Sequence, residues 1–388
     1  MCKYKKIAIR EMEKFVQVLL FFLLFVQGWC LIAESRFKSP NGDCPCSAPA
    51  LCNVIKTPPR KEVFAFWLGG PHWMKYDWTK LTTVVMFGHY DADLMCYAHS
   101  QGVRVTLLGD FPVANLTSIA DRSAWVMAQV DRAIKGHMDG INLDIEYPLN
   151  ASQAKYLTTL VGETTKAFHI SIPGSQVTFD VAWSPNCTDG RCYDYKGLAD
   201  ACDFLFVMSY DEQSQIYGDC IAMANSPYNK TATGVEGYLK LGIPANQLVL
   251  GVPWYGYNYN CTNLDNKTNV CSIPHVPFRG VNCSDAAGRQ FNYAVVIKLL
   301  DNNSTSGRLY NTTYQAPYFN YVDAATKVIH QVWYDDPVSL TTRYKYAQQM
   351  KLRGVGMWNA DSLDYSDDPK AEKLTKAMWD AIGKYFLP

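Results

Sequence analysis

From Glu62 onward, short apolar runs alternate with stretches of helical periodicity. The apolar runs are Val63–Leu68, Thr82–Phe87, Val103–Leu108, Gly140–Glu146, Val177–Trp183, Phe204–Tyr210, Leu248–Tyr255 and Gly354–Trp358. Most are nearly continuous in apolar residues, as parallel strands buried on both faces should be. Between them, Ala120–Lys135 sets Trp125, Val126, Val130 and Ile134 on one helical face. Ser152–Phe168 follows a cap at Asn150 or Ser152, and Leu340–Leu352 follows a cap at Ser339. Eight strands in βα alternation predict an α/β fold, a (β/α)8 TIM barrel, over the alternative of an open doubly wound sheet. No glycine-rich phosphate loop supports a nucleotide-binding variant. The interval from about Asn258 to Pro337 breaks the rhythm and is rich in Asn, Thr, Tyr and Cys. With strand-like pieces at Tyr293–Leu299 and His330–Trp333, it predicts a mixed insertion, about 258–337, between the seventh and eighth strands. A helix near Lys370–Phe386 closes the chain.

The N-terminus adds a compartment. Basic residues precede an apolar run, Phe15–Val26, followed by the small residues Gly28, Cys30 and Ala33. The run is too short to span a bilayer comfortably, so residues 1–33 are expected to be a signal peptide cut near 28–33. Glu11 and Glu13 are unusual in such a segment, and a start at Met12 would leave them out of the basic lead. No later run is of spanning length, so no membrane association is expected once the signal is removed. A Cys- and Pro-rich segment, 34–60, leads into the barrel domain, 61–388. In an oxidising compartment the cysteines read as disulfides. Cys187–Cys192 and Cys261–Cys271 flank short polar loops and suit local bridges. The odd cysteine count beyond the signal leaves one over, and Cys202 is the candidate for it. No C-x-x-C or H-E-x-x-H spacing calls for a metal, and no cofactor is expected. Sequons at Asn115, Asn229, Asn266 and Asn311 fit a glycosylated surface.

Charge removes further classes. The full chain is formally neutral, and loss of its first thirty residues, five basic and two acidic, leaves −3. That is no footprint for nucleic acid. An aromatic content of 13% without basic excess suits a neutral ring-shaped ligand, and equally a large apolar core.

The chemistry concentrates in Asp139-Gly-Ile-Asn-Leu-Asp-Ile-Glu146. Side chains alternate along a strand, so Asn142, Asp144 and Glu146 share one face and Ile141, Leu143 and Ile145 the other. Such alternation usually means a half-solvated strand. The Asp139-Gly140 entry, the stepped Asn/Asp/Glu series and the Tyr147-Pro148 exit set this one apart. Residues two apart on a strand are roughly 6–7 Å apart at Cα, with both side chains on the same side. Retaining glycosidases with an enzyme nucleophile hold two carboxylates about 5–5.5 Å apart across the sugar. Neighbours on one strand straddle a sugar poorly. They suit a substrate-assisted route, with one acid at the leaving oxygen and the substrate's acetamide as nucleophile.

Asp139–Glu146 resembles the D-x-x-D-x-D-x-E signature of family-18 glycoside hydrolases, the chitinase family. Phe206-Val-Met-Ser-Tyr-Asp211 is similar to that family's sixth strand, Gly251-Val-Pro-Trp-Tyr-Gly256 to its seventh and Gly354-Val-Gly-Met-Trp358 to its last. Tyr334-Asp-Asp336 is similar to the segment before its final helices. The resemblance implies that Glu146 protonates the glycosidic oxygen and later activates water, while Asp144 holds the acetamide. It implies that Tyr210 hydrogen-bonds the acetamide carbonyl, that Trp358 forms the floor of the sugar site, and that Met208 and Asp211 line it. Asn142 stands where the family most often has aspartate, and would also contact the site. The substrate implied is an N-acetylglucosamine oligosaccharide, the chitobiose core of asparagine-linked glycans, cut from its reducing end in the lysosome by a monomer. A chitinase-like lectin would lack the terminal acid, and a secreted polymer-degrading chitinase would keep the chemistry in a different cleft. Trp73, Trp78, Trp183, Trp333 and the seven histidines read as packing or structural residues. One of Trp254 and Tyr255 must face the barrel.

Overall fold

The computed structural model describes residues 44–56 and 60–386. The expected signal peptide lies outside the described residues. The chain divides between Cys44 and Pro45, and the unit from Pro45 to Pro388 contains the barrel.

The eight apolar runs become the strands of a closed barrel. In chain order the first seven are β1 (Glu62–Trp67), β2 (Thr83–Met86), β3 (Arg104–Gly109), β4 (Gly140–Leu143), β5 (Gln176–Ala182), β6 (Phe204–Met208) and β7 (Leu248–Pro253). The insertion contributes β8 (Tyr255–Asn260), β9 (Asn263–Asp265), β10 (Val270–Ser272), β11 (Gly288–Asn292), β12 (Leu309–Asn311), β13 (Ala316–Val322) and β14 (Ile329–Trp333). β15 (Gly354–Trp358) then pairs in parallel with both β7 and β1 and closes the ring.

Helices cover the outside: α1 (Ala92–Ser100), α2 (Ile119–Lys135), α3 (Ala151–Ser171), α4 (Tyr195–Ala201) and α5 (Tyr228–Lys240). α6 (Tyr293–Asn303) belongs to the insertion, and α7 (Pro337–Gln349) and α8 (Pro369–Phe386) flank β15. The Asn150 side chain caps α3 and completes a capping box with Gln153.

Four expectations change. β4 stops pairing at Leu143 rather than Glu146, because its neighbour β3 ends at Gly109; the Asp144 N–H still reaches the Gly109 carbonyl at 2.9 Å. The seventh run divides at Trp254, and Tyr255 already belongs to the insertion sheet, whose order is β11-β8-β14-β13-β12. Tyr293–Leu299 is helical, not extended: Tyr293 and Val296, three apart, are its buried positions. The cap of α7 is Asp336, which accepts from the Val338 and Ser339 N–H groups, while Ser339 completes the box from inside the helix.

The core has two compartments. Ile141, Leu143 and Ile145 face the helices and are buried with Leu157 and Leu160 of α3. Full burial of each contributes about 1.5–3 kcal/mol. Inside the barrel, Phe64, Phe66, Phe204 and Phe206 fill the lower layers, with ring centroids 5.1–5.9 Å apart in the contacting pairs. Gly140 marks a close approach, for a Cβ there would lie 1.8 Å from the Gln176 carbonyl oxygen of β5. Disulfides join Cys46–Cys96, Cys187–Cys192, Cys220–Cys283 and Cys261–Cys271, and Cys202 is a buried free thiol. Among the described residues no helix is long and apolar enough to cross a membrane.

Candidate active site

The acidic series divides by depth. Asp139, at the entry to β4, is fully buried and faces away from the barrel mouth. Its carboxylate accepts the Ile55 and Val105 N–H groups, each at 2.7 Å, and meets His99 Nε2 at 2.8 Å. The other ring nitrogen of His99 lies 2.6 Å from the Leu51 carbonyl oxygen. Burial alone would lower the His99 pKa, but the Asp139 hydrogen bond and charge outweigh it and raise it. Asp139 therefore ties the N-terminal segment and α1 to the barrel.

Asn142 is buried inside the barrel and bridges two strands. Its Oδ1 accepts the Thr178 hydroxyl at 2.6 Å, and its Nδ2 donates to Asp180 Oδ2 at 2.7 Å. Asp144 lies nearer the mouth. Burial and then the Glu146 charge push its carboxyl well above the usual range, and its Oδ1 is buried without a partner. Glu146 is half-exposed and receives Arg191 Nη1 at 2.5 Å. Arg191 Nη2 also holds Asp189 at 3.0 Å, within the loop closed by Cys187–Cys192. The Tyr193 hydroxyl reaches the Ile145 carbonyl at 2.9 Å and that of Tyr147 at 2.6 Å, which fixes the exit from β4.

The sixth strand brings in Met208, Tyr210 and Asp211. Met208 and Tyr210 are buried in the inner cluster. Burial, followed by the charges of Asp180, Glu146 and Asp144, raises the Tyr210 pKa, so its hydroxyl stays a proton donor. Asp211 has φ 50°, a left-handed conformation that aspartate tolerates better than most residues. Its N–H donates to Asn225 Oδ1 at 2.7 Å, and its Oδ1 accepts the hydroxyls of Tyr255 and, at 2.9 Å, Tyr257.

Trp358 ends β15 at the same mouth. It is half-buried, with its ring 4.9 Å from Phe87 and 5.1 Å from Phe66, and the Trp358–Asn359 peptide is cis. Of the Trp254–Tyr255 pair it is Tyr255 that turns inward, its ring 6.1 Å from Tyr210. Trp254 packs outward against Trp379 at 4.9 Å.

The barrel thus gathers Asn142, Asp144, Glu146, Met208, Tyr210, Asp211 and Trp358 at the C-terminal ends of its strands, where barrel enzymes carry their chemistry. Sequence reasoning missed Asp180, Asp189, Arg191 and Tyr257. Asp180 carried a signal, an acid at an inward position of an apolar strand. Arg191 carried none, since it meets Glu146 across 45 residues of chain.

The profile described as glycosyl hydrolases family 18 matches residues 109–362. A di-N-acetylchitobiase from Mus musculus is 55% identical over 343 residues, covering 88% of this chain and 93% of that protein. A probable di-N-acetylchitobiase 2 from Dictyostelium discoideum is 42% identical over 353 residues, covering 88% and 91% respectively. A solved class V chitinase from Nicotiana tobaccum shares the fold with TM-score 0.67 at 18% identity, over 84% of this chain and 100% of that one. The barrel and the acids at the exit of its fourth strand are thus those of a glycosidase, and the chain belongs to glycosyl hydrolases family 18.

Proposed function

We propose that this glycosidase hydrolyses the β1,4 bond of GlcNAc-β1,4-GlcNAc by a retaining, substrate-assisted route. It acts in the lysosome on oligosaccharides of asparagine-linked glycans and releases the reducing-end sugar. The observation that carries the mechanism is Asp144, its Oδ1 shut off from solvent, beside Glu146 just past the end of β4. A buried carboxyl of raised pKa, with one oxygen shut off from solvent, is a poor nucleophile for a sugar above it. The substrate's acetamido oxygen then attacks the anomeric carbon.

In this reading Glu146 donates a proton to the glycosidic oxygen as the C–O bond breaks, and later takes one from water. The proton shared within the Asp144–Glu146 pair is the one delivered. Asp144 then faces the N–H of the oxazolinium ion, and the Tyr210 hydroxyl donates to the acetamide oxygen. Trp358 supplies an apolar floor, with Met208 and Asp211 beside it. Arg191 can release Glu146 to act because Asp189 remains as its second partner. The names of the relatives support the chitobiose-type substrate.

Product analysis on N-acetylglucosamine trimers labelled at the reducing end tests this. Loss of one labelled monosaccharide is expected. Glu146→Gln should still bind the trimer and lose several orders of magnitude in turnover; near-normal turnover by that variant would sink the reading. A substrate without the 2-acetamido group should bind and not react.

A further inference from the structure

The exit of β4, the loop after β5 and the loop after β6 are stitched into one ridge beside Glu146. Arg191, from the loop after β5, holds Glu146 at 2.5 Å and Asp189 at 3.0 Å. The Leu149 N–H donates to the Gly190 carbonyl at 3.3 Å, which joins that loop to the exit of β4. Gln215, from the loop after β6, makes two further joints. Its Oε1 accepts the Asp189 N–H at 3.0 Å, and its Nε2 donates to the Arg279 carbonyl of the insertion at 3.0 Å. Cys187–Cys192 closes the loop after β5, and Cys220–Cys283 ties the loop after β6 to the insertion. The pieces also pack closely, for a Cβ on Gly190 would lie 3.1 Å from Pro148 Cβ and 3.8 Å from Arg279 Nη1. Pro148 and Arg279 are exposed, so they form the outer face of the ridge.

The ring order of the strands fixes the side on which this ridge stands. In the closed barrel β4 and β15 lie four places apart in a ring of eight, and so face each other across the mouth. Trp358, at the end of β15, and Glu146, past the end of β4, are therefore on opposite sides. β5 and β6, which come next to β4 in the ring, carry the rest of the ridge. A sugar lying over Trp358 that offers its glycosidic oxygen to Glu146 must place its leaving group on the Glu146 side. The ridge occupies that side. Loops crossed by two disulfides and by hydrogen bonds between segments have little freedom to part and let a longer chain through.

Resting on the roles given above to Glu146 and Trp358 and on release of the reducing-end sugar, we propose that this ridge is the end stop of the leaving side. It leaves room for one N-acetylglucosamine past Glu146 and excludes a second, with Pro148 and Arg279 as its face. Arg191 makes the acid and the stop parts of one unit, so the distance between them is fixed. A stop at fixed distance counts sugars from the reducing end, because only the last bond of the chain can come to rest at Glu146. Selection by exclusion of the longer leaving group needs no added attraction for the shorter one. The chemistry at the bond is unchanged; the ridge sets which bond is presented.

The test uses an N-acetylglucosamine tetramer whose reducing-end sugar is deuterated, and reads labelled disaccharide against labelled monosaccharide by mass spectrometry. The unsubstituted enzyme should release labelled monosaccharide. Arg279 has φ 42°, which glycine adopts without strain, so Arg279→Gly trims the ridge and keeps its backbone. Gln215→Ala unties the loop after β5 from the insertion. In the double variant the ratio of labelled disaccharide to labelled monosaccharide should rise about tenfold or more. A folded double variant whose ratio equals that of the unsubstituted enzyme overturns the proposal, whatever its turnover. If the double variant does not fold, Arg279→Gly decides alone by the same ratio. Should the unsubstituted enzyme itself release mainly labelled disaccharide, the reducing-end reading fails and this inference with it. Should it release the monosaccharide while the variants leave the ratio unmoved, this inference fails by itself.

Discussion

Arg191 clasps Glu146 through one guanidinium nitrogen, at 2.5 Å, while its other terminal nitrogen holds Asp189 at 3.0 Å. Its two partners differ in environment, for Glu146 is half-exposed and Asp189 largely buried. Solvent screens the first pair, so most of the stabilisation belongs to the second. Arg191→Met should cost about 1–3 kcal/mol by leaving Asp189 with the Ser214 hydroxyl but no cation. Adding Asp189→Asn should recover much of that loss. Denaturant titration of the two single variants and the double variant measures the coupling.

His99 and Asp139 predict how stability depends on pH. The His99 pKa is raised above its ordinary value near 6.5. The sign follows: its contribution is full below about 6.5 and is lost as pH rises through the raised folded value. Unfolding free energy measured from pH 5 to pH 9 should fall across that window. His99→Asn should flatten the dependence and cost about 3–5 kcal/mol at pH 5, where the charged partner is most missed.

Glu212 adds to the same trend from another place. It is buried, its Oε1 accepts the Thr231 hydroxyl at 2.8 Å, and burial lifts its pKa to about 8. A buried acid so raised destabilises the fold progressively as pH climbs from its ordinary value near 4.5 towards about 8. Glu212→Gln should therefore be little changed at pH 5, and more stable than the unsubstituted protein at pH 8 by on the order of a few kcal/mol. Equal effects at both values would contradict it.

Asp211 combines a left-handed backbone with two tyrosine hydroxyls on one oxygen. Asp211→Ala removes the acceptor and places a residue less suited to positive φ there, at a cost of about 2–3 kcal/mol. Asp211→Asn keeps one acceptor oxygen and tolerates the conformation, so it should lose less than half as much. Because Tyr255 sits beside Tyr210, kcat/KM should fall with both variants, and more with alanine.

The barrel was legible because its strands are buried on both faces, which leaves runs such as Phe204–Met208 apolar throughout. That Asn142, Asp144 and Glu146 share one face was legible from alternation, and the barrel reading made that face the inward one. The extent of β4 was not, since its end depends on where β3 stops. Tyr293–Leu299 was misread because seven residues rich in β-branched types fit either a strand or two helical turns. Asp180 could have been found by applying to β5 the same alternation used on β4. Arg191 could not, because a loop delivers it and no periodicity foretells where a loop will fold back. Asp139 shows the converse, a motif residue whose visible work is to hold Ile55, His99 and Val105 in place.

Trp254 is the single residue between the last barrel strand before the insertion and the first strand within it. Its N–H donates to the Trp358 carbonyl at 2.7 Å, its carbonyl accepts the Tyr293 N–H at 3.1 Å, and its ring is locked against Trp379. Tyr255 and Tyr257 therefore stand over the mouth on backbone continuous with the barrel wall, with no slack at the junction. A lid needs a hinge, and this junction provides none. The shape of this part of the wall is then present before the sugar arrives, and little ordering entropy remains to be lost here on binding. Affinity for a ligand that matches this wall gains from that rigidity, and a bulkier one meets a wall that does not yield.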